Sequence, residues 1–155
     1  DMTELLLMFA ARAQHVEQVI KPALNQGSWV ICDRFTDSSF AYQGAARGIA
    51  AKTIDLINEA SLDSFSPDLT VLLDVDVKVG MQRAGIRGEL DRFEKEDLIF
   101  FEKVRQGFLA RAKVHDRFNI IDASKPITDV NSQLSDVLLP KIHTWLKLSS
   151  QSVLI

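Results

Sequence analysis

A chain of 155 residues, 46% hydrophobic and 25% charged, suits one soluble domain with a sizeable core. Its net charge of −3 argues against a dedicated nucleic-acid binder, which carries a basic face, and no apolar run approaches a membrane span. Cys32 is the only cysteine, so neither a disulfide framework nor a cysteine-rich metal site is available. His15, His115 and His143 fall on separate predicted helices without metal-ligand spacing. The default setting is cytoplasmic.

The first helix begins at once, with Asp1 and Glu4 in the spacing of a capping pair. Leu5, Met8/Phe9, Arg12, Val16 and Val19/Ile20 follow at helical intervals, and Pro22 is expected to bend or end the helix. Asn25-Gln26-Gly27-Ser28 turns the chain into an apolar run, Trp29 to Cys32, that reads as a strand buried on both faces. A buried thiol is the expectation for Cys32. After a loop of Thr, Asp and Ser, a helix is predicted over about 50–62, with Ile54, Leu56 and Ile57 on its apolar side. Ser64-Phe65-Ser66-Pro67-Asp68 leads into a second strand, Leu69 to Val75. Residues 77–85 read as helix, 86–93 as a short charged segment, and 94–115 as a long amphipathic helix. A third strand runs from Phe118 to Ile121, a last helix covers about 127–147, and Leu148 to Ile155 is expected to fray. Strand–helix alternation of this kind implies a single α/β domain with a parallel sheet and right-handed crossovers. Three strands are few for so many helices, and the chain opens on a helix, so an N-terminal part of a larger fold is expected to be absent.

Ligands of open α/β sheets bind beyond the carboxyl ends of the strands. The first predicted strand delivers Asp33 and Arg34 there, a carboxylate and a guanidinium suited to an anionic ligand. A second cluster, Arg83-Ala84-Gly85-Ile86-Arg87-Gly88-Glu89-Leu90-Asp91-Arg92-Phe93-Glu94, places three arginines around Gly88 between helical segments. Arginines on a closing loop suit phosphoryl transfer, where catalysis is chiefly positioning and neutralisation of charge. Asp91 and Phe93, two residues apart, could border a nucleoside. Arg12 shares a helix face with Met8 and Phe9, so it can hold a base edge or a phosphate beside an apolar platform.

Asp33-Arg34-Phe35, Ser38-Ser39, Tyr42-Gln43-Gly44 and Arg47-Gly48 resemble the thymidylate kinase signature. The opening helix Thr3 to Arg12, Pro67-Asp68-Leu69-Thr70, Arg87-Gly88 with Asp91-Arg92-Phe93-Glu94, and Ile121-Asp122-Ala123 match that family in order and spacing. The resemblance covers nearly the whole chain and points to the bacterial type with its catalytic arginine in the lid. It implies the three-layer nucleoside-monophosphate-kinase fold of the phosphate-loop NTPase class, with a lid over about residues 83–93. The implied reaction is phosphoryl transfer from Mg-ATP to dTMP, giving dTDP for dTTP biosynthesis. Arg34 would hold the dTMP phosphate, with Asp33 and a magnesium-bound water network beside it. Arg12 and Ser39 would bond the thymine edge, Tyr42 would sit against the deoxyribose with Gln43 close by, and Asp91 and Phe93 would line the dTMP side. Arg83 and Arg87 would reach ATP, and Ala123 and Ser124 the adenine. Magnesium would be held mainly by nucleotide phosphates, with Asp33 reaching it through water. The resemblance also implies a homodimer through the opening helix, in which Leu5, Leu6, Leu7 and Phe9 exceed one core-facing stripe.

Two departures stand out. The position four before Arg12, usually an aromatic ring that stacks on thymine, is Met8, with Phe9 one residue later. No Gly-x-x-x-x-Gly-Lys-Ser/Thr occurs in the chain. In the family that loop follows a strand lying between the counterparts of Trp29–Cys32 and Leu69–Val75. The expectation is therefore that these residues alone do not catalyse. Two other readings remain open: another nucleoside or nucleoside-monophosphate kinase of the same fold, and a truncated, non-catalytic domain that binds ligand or dimerises.

Overall fold

Leu5, Phe9, Val16 and Ile20 recur at helical spacing, and all four are buried against Phe40, Ile54 and Leu62 in one core. The computed structural model describes residues 1–83 and 92–151, with the backbone alone for 92–96 and 148–151. Helix α1 (Met2–His15) runs on through a π-helical segment, Val16–Ile20, into α2 (Lys21–Asn25). The chain was predicted to bend or end at Pro22. The helix does not end there but continues to Asn25, and its hydrogen-bonding register widens over Val16–Ile20, just before Pro22, which has no N–H to donate. Gly27, at φ 77, then turns the chain in a conformation open to glycine.

Helix α3 (Thr36–Ser39) continues into a second π-helical segment, Phe40–Ala46, and α4 (Ala51–Leu62) follows. Strands β1 (Thr70–Asp74) and β2 (Phe118–Asp122) pair in parallel, Thr70 opposite Phe118 and Asp74 opposite Asp122. Between them lie α5 (Val77–Arg83) and α6 (Arg92–Val114), and α7 (Ile127–Gln151) follows β2. The α/β class and the parallel pairing agree with the sequence pattern. Helix α6 packs tightly on the 36–46 helix at Gly107: a Cβ there would sit 2.8 Å from Ala41 Cα and from Ala45 Cβ. Rings on either side extend the contact, with Tyr42 6.1 Å from Phe100 and 6.3 Å from Phe108.

Five local expectations are corrected. Trp29–Cys32 is not a strand: among the described residues the sheet has only β1 and β2. A strand needs a ladder partner, and among the described residues none pairs with this segment, in which Ile31 is 99% exposed. Cys32 is accordingly exposed, not buried, and its thiol donates to the Arg34 carbonyl. Asp1 stands at the N-cap of α1 but makes no side-chain capping bond; its carboxylate faces Arg47 at 3.7 Å, and Glu4 is engaged by Gln43 and Arg47. Leu56 lies on the exposed side of α4, while Ile54 is buried and Ile57 packs against the core. At the other end of the chain, α7 extends to Gln151, past the expected limit at 147.

Candidate nucleotide-binding site

Glu4, Met8 and Arg12 stand four residues apart on α1 and so form one stripe along it. Opposite them, Ser39, Gln43 and Arg47 rise from the 36–46 helix and the turn that ends it. Arg12 Nη1 donates to Ser39 Oγ at 2.8 Å, and Gln43 Nε2 donates to Glu4 Oε1 at 2.6 Å. Arg47 also donates to Glu4, and these two bonds hold the Glu4 carboxyl below its usual range. Ser39 and Gln43 are buried. Burial lowers the pKa of the Arg12 guanidinium, against the pull of Cys32 and Asp37. A partly desolvated cation of this kind binds a carbonyl or phosphate oxygen more strongly than one in water.

The two platform candidates differ sharply. Phe9 is 1% exposed, lies in the core and carries the Arg12 guanidinium 5.2 Å over its ring. Met8 is 41% exposed. Arg34 and Asp33 are both exposed on the loop before α3. Arg34 has φ 64, a left-handed conformation unusual for a residue with a Cβ, and its guanidinium sits 5.2 Å from the Tyr42 ring centroid. Such backbone strain costs on the order of 1–3 kcal/mol and persists only where neighbouring structure holds it.

A second group gathers at the ends of β1 and β2. Arg83 donates to the Ala123 carbonyl at 2.6 Å and to the Ser124 carbonyl at 2.8 Å, so three of the predicted ATP-side residues meet. Beside them Arg105 grips Asp74 through two bonds of 2.7 and 2.9 Å. Hydrogen bonds from Ser124 hold the Asp122 carboxyl below its usual range. Arg87 and Asp91 lie outside the described residues, as does the Phe93 side chain. Among the described residues no three His, Cys, Asp or Glu side chains are grouped to hold a metal, and no helix is long and apolar enough to cross a membrane.

Sequence reading missed the partners that brace these residues. Asp37, 4% exposed, receives Arg111 Nε at 2.9 Å and Arg117 Nη2 at 2.7 and 2.9 Å. Separations of 74 and 80 residues carry no local signal, and the only hint was a carboxylate inside an otherwise small-residue run.

The thymidylate kinase family model matches residues 1–134. A thymidylate kinase from Alcanivorax borkumensis is 52% identical over 146 residues, 94% of this chain and 70% of that protein. One from Teredinibacter turnerae is 50% identical over 136 residues, 87% of this chain and 66% of the relative. The crystal structure of thymidylate kinase from Ehrlichia chaffeensis superposes with a TM-score of 0.67 at 34% identity, covering 88% of this chain and 64% of that one. The chain thus spans about two thirds of the length of these proteins. Sequence match, the parallel αβ architecture and the facing α1 and 36–46 helices agree: the chain belongs to the thymidylate kinase family and has its nucleoside-monophosphate-kinase fold.

Proposed function

We propose that this chain forms the dTMP-binding and lid-bearing part of a kinase that transfers the γ-phosphoryl group of Mg-ATP to dTMP. A dTMP phosphate oxygen attacks the γ-phosphorus, the bond to the β-bridging oxygen breaks, and ADP leaves with dTDP as product. The observation that carries this reading is the Arg12–Ser39 pair, one donor-rich and one hydroxyl group joined beside the exposed thioether of Met8. Thymine offers the matching carbonyl and imide edge. Met8 covers the base, Tyr42 borders the sugar with Gln43 behind it, and Arg34 takes the dTMP phosphate. Asp91 and Phe93 complete the dTMP side. Arg83 fixes the Ala123–Ser124 turn for adenine, and Arg87 closes on the ATP phosphates.

Magnesium neutralises phosphate charge when bound, and it characteristically keeps several waters while taking few protein carboxylates. Asp33, a single exposed carboxylate next to Arg34, fits contact through water. The chain contains no phosphate-loop motif, so the reading assigns no cradle for the ATP phosphates among its residues. A homodimer through α1 fits the exposure of Met2, Leu6 and Leu7. Steady-state kinetics of the intact gene product test the reading: Arg34→Ala should abolish most dTMP turnover, while an unchanged kcat/KM for dTMP would remove Arg34 from the site.

A further inference from the structure

Arg34 stands in a strained left-handed conformation, and Asp37 follows three residues later, in the opening turn of α3. The Asp37 carboxylate is 4% exposed and takes three hydrogen bonds from two arginines, Arg111 near the end of α6 and Arg117 just before β2. Each arginine is itself braced. Arg111 lies 3.9 Å over the Phe40 ring, while Arg117 lies 4.7 Å over Phe118 and also donates to Thr70 Oγ1. One carboxylate therefore ties the 36–46 helix to α6 and to the first residues of both strands. Ser39, which accepts from Arg12, is two residues further on and fully buried.

We infer that Asp37, clasped by Arg111 and Arg117, is a positioning residue for monophosphate binding: it holds Arg34 in its strained conformation and Ser39 in register with Arg12. Asp37 touches no substrate group itself. It acts through backbone, because a helix whose first turn is pinned cannot slide along α6 or relax the turn before it. Misplacement of binding groups by about 1 Å can cost as much as a hundredfold. The effect should be confined to one substrate. The clasp meets the strands at Thr70 and Phe118, while Arg83, Ala123 and Ser124 gather at their opposite ends, about four strand steps or ~13 Å away.

This inference rests on the dTMP reading above, and the test separates the two. Steady-state kinetics are measured on the intact kinase, wild type against Asp37→Asn and Arg111→Lys, varying dTMP and ATP separately. Asp37→Asn is expected to raise KM for dTMP on the order of tenfold, with KM for ATP within about twofold. Arg111→Lys, which keeps the buried charge but loses the Nε bond, should shift KM for dTMP the same way by about threefold, and it carries the test if Asp37→Asn does not fold. A merely structural role lowers the folded fraction, so kcat per mole falls while KM for dTMP stays. That outcome, or equal rises in both KM values, overturns the inference. Absence of dTMP turnover in the wild type overturns the functional reading, and this inference with it.

Discussion

Arg12 and Ser39 meet at 2.8 Å although 27 residues separate them, and their bond closes the gap between α1 and the 36–46 helix. Ser39 is fully buried and Arg12 half-buried. Arg12→Ala removes the charge and leaves Ser39 without that donor. In the intact kinase KM for dTMP should rise about 10- to 100-fold, as for loss of a hydrogen bond to a charged group, with KM for ATP little changed. A larger effect on ATP than on dTMP would place Arg12 elsewhere in the mechanism.

Met8 and Phe9 should separate cleanly. Phe9→Ala empties a fully buried ring position and is expected to cost about 3–5 kcal/mol of stability, read from denaturant melts. Met8→Ala removes an exposed thioether; stability should change by less than about 1 kcal/mol while KM for dTMP rises. If Met8→Ala leaves dTMP binding intact, the base is covered by another group.

Gly107 permits the close approach of α6 to the 36–46 helix. Gly107→Ala sets a methyl 2.8 Å from both Ala41 Cα and Ala45 Cβ, where backbone and a short side chain cannot swing aside. The overpacking should cost about 1–3 kcal/mol, visible as a lower Tm by several degrees. An unchanged Tm would mean that the two helices can part at no cost.

His115 makes stability pH-dependent. Burial, followed by the charges of Arg111 and Arg117, holds its pKa below the ordinary 6.5, against weaker opposition from Asp37 and Asp55, and its Nε2 is buried without a partner. The unfolded chain takes up a proton near 6.5 while the folded chain resists it. Stability from this site is therefore full above that value and is lost as pH falls toward the lowered folded value. The Tm of wild type should drop between about pH 7.5 and about pH 5.5, and His115→Gln should lessen the drop. Equal drops in both proteins would assign the acid sensitivity to other groups.

Residues 1–155 prepared alone, with their ends verified by intact mass, should show no dTMP-dependent ADP formation. Native-like turnover by that preparation would mean that ATP can be held without the phosphate-loop motif.

Much of the architecture was written in local spacing. Leu5, Phe9, Val16 and Ile20 announce their buried face, and the apolar runs before Asp74 and Asp122 announce two parallel strands. Trp29–Cys32 reads equally well as a strand yet forms none, because strand formation is settled by a neighbour that local composition cannot report. The candidate residues Arg12, Arg34 and Ser39 follow from the order of the family's motifs, and the structure joins Arg12 to Ser39. Asp37, Arg111 and Arg117 were not: each looks like a solvated charge until folding brings together residues dozens of positions apart. Met8 and Phe9 could be told apart only once the core had claimed one of them.

The most direct test is product analysis of the intact gene product incubated with Mg-ATP and, separately, dTMP, thymidine or dUMP. The account predicts dTDP and stoichiometric ADP from dTMP, at a rate well above that for the other two acceptors. Phosphorylation of thymidine with no dTDP formed from dTMP would contradict it.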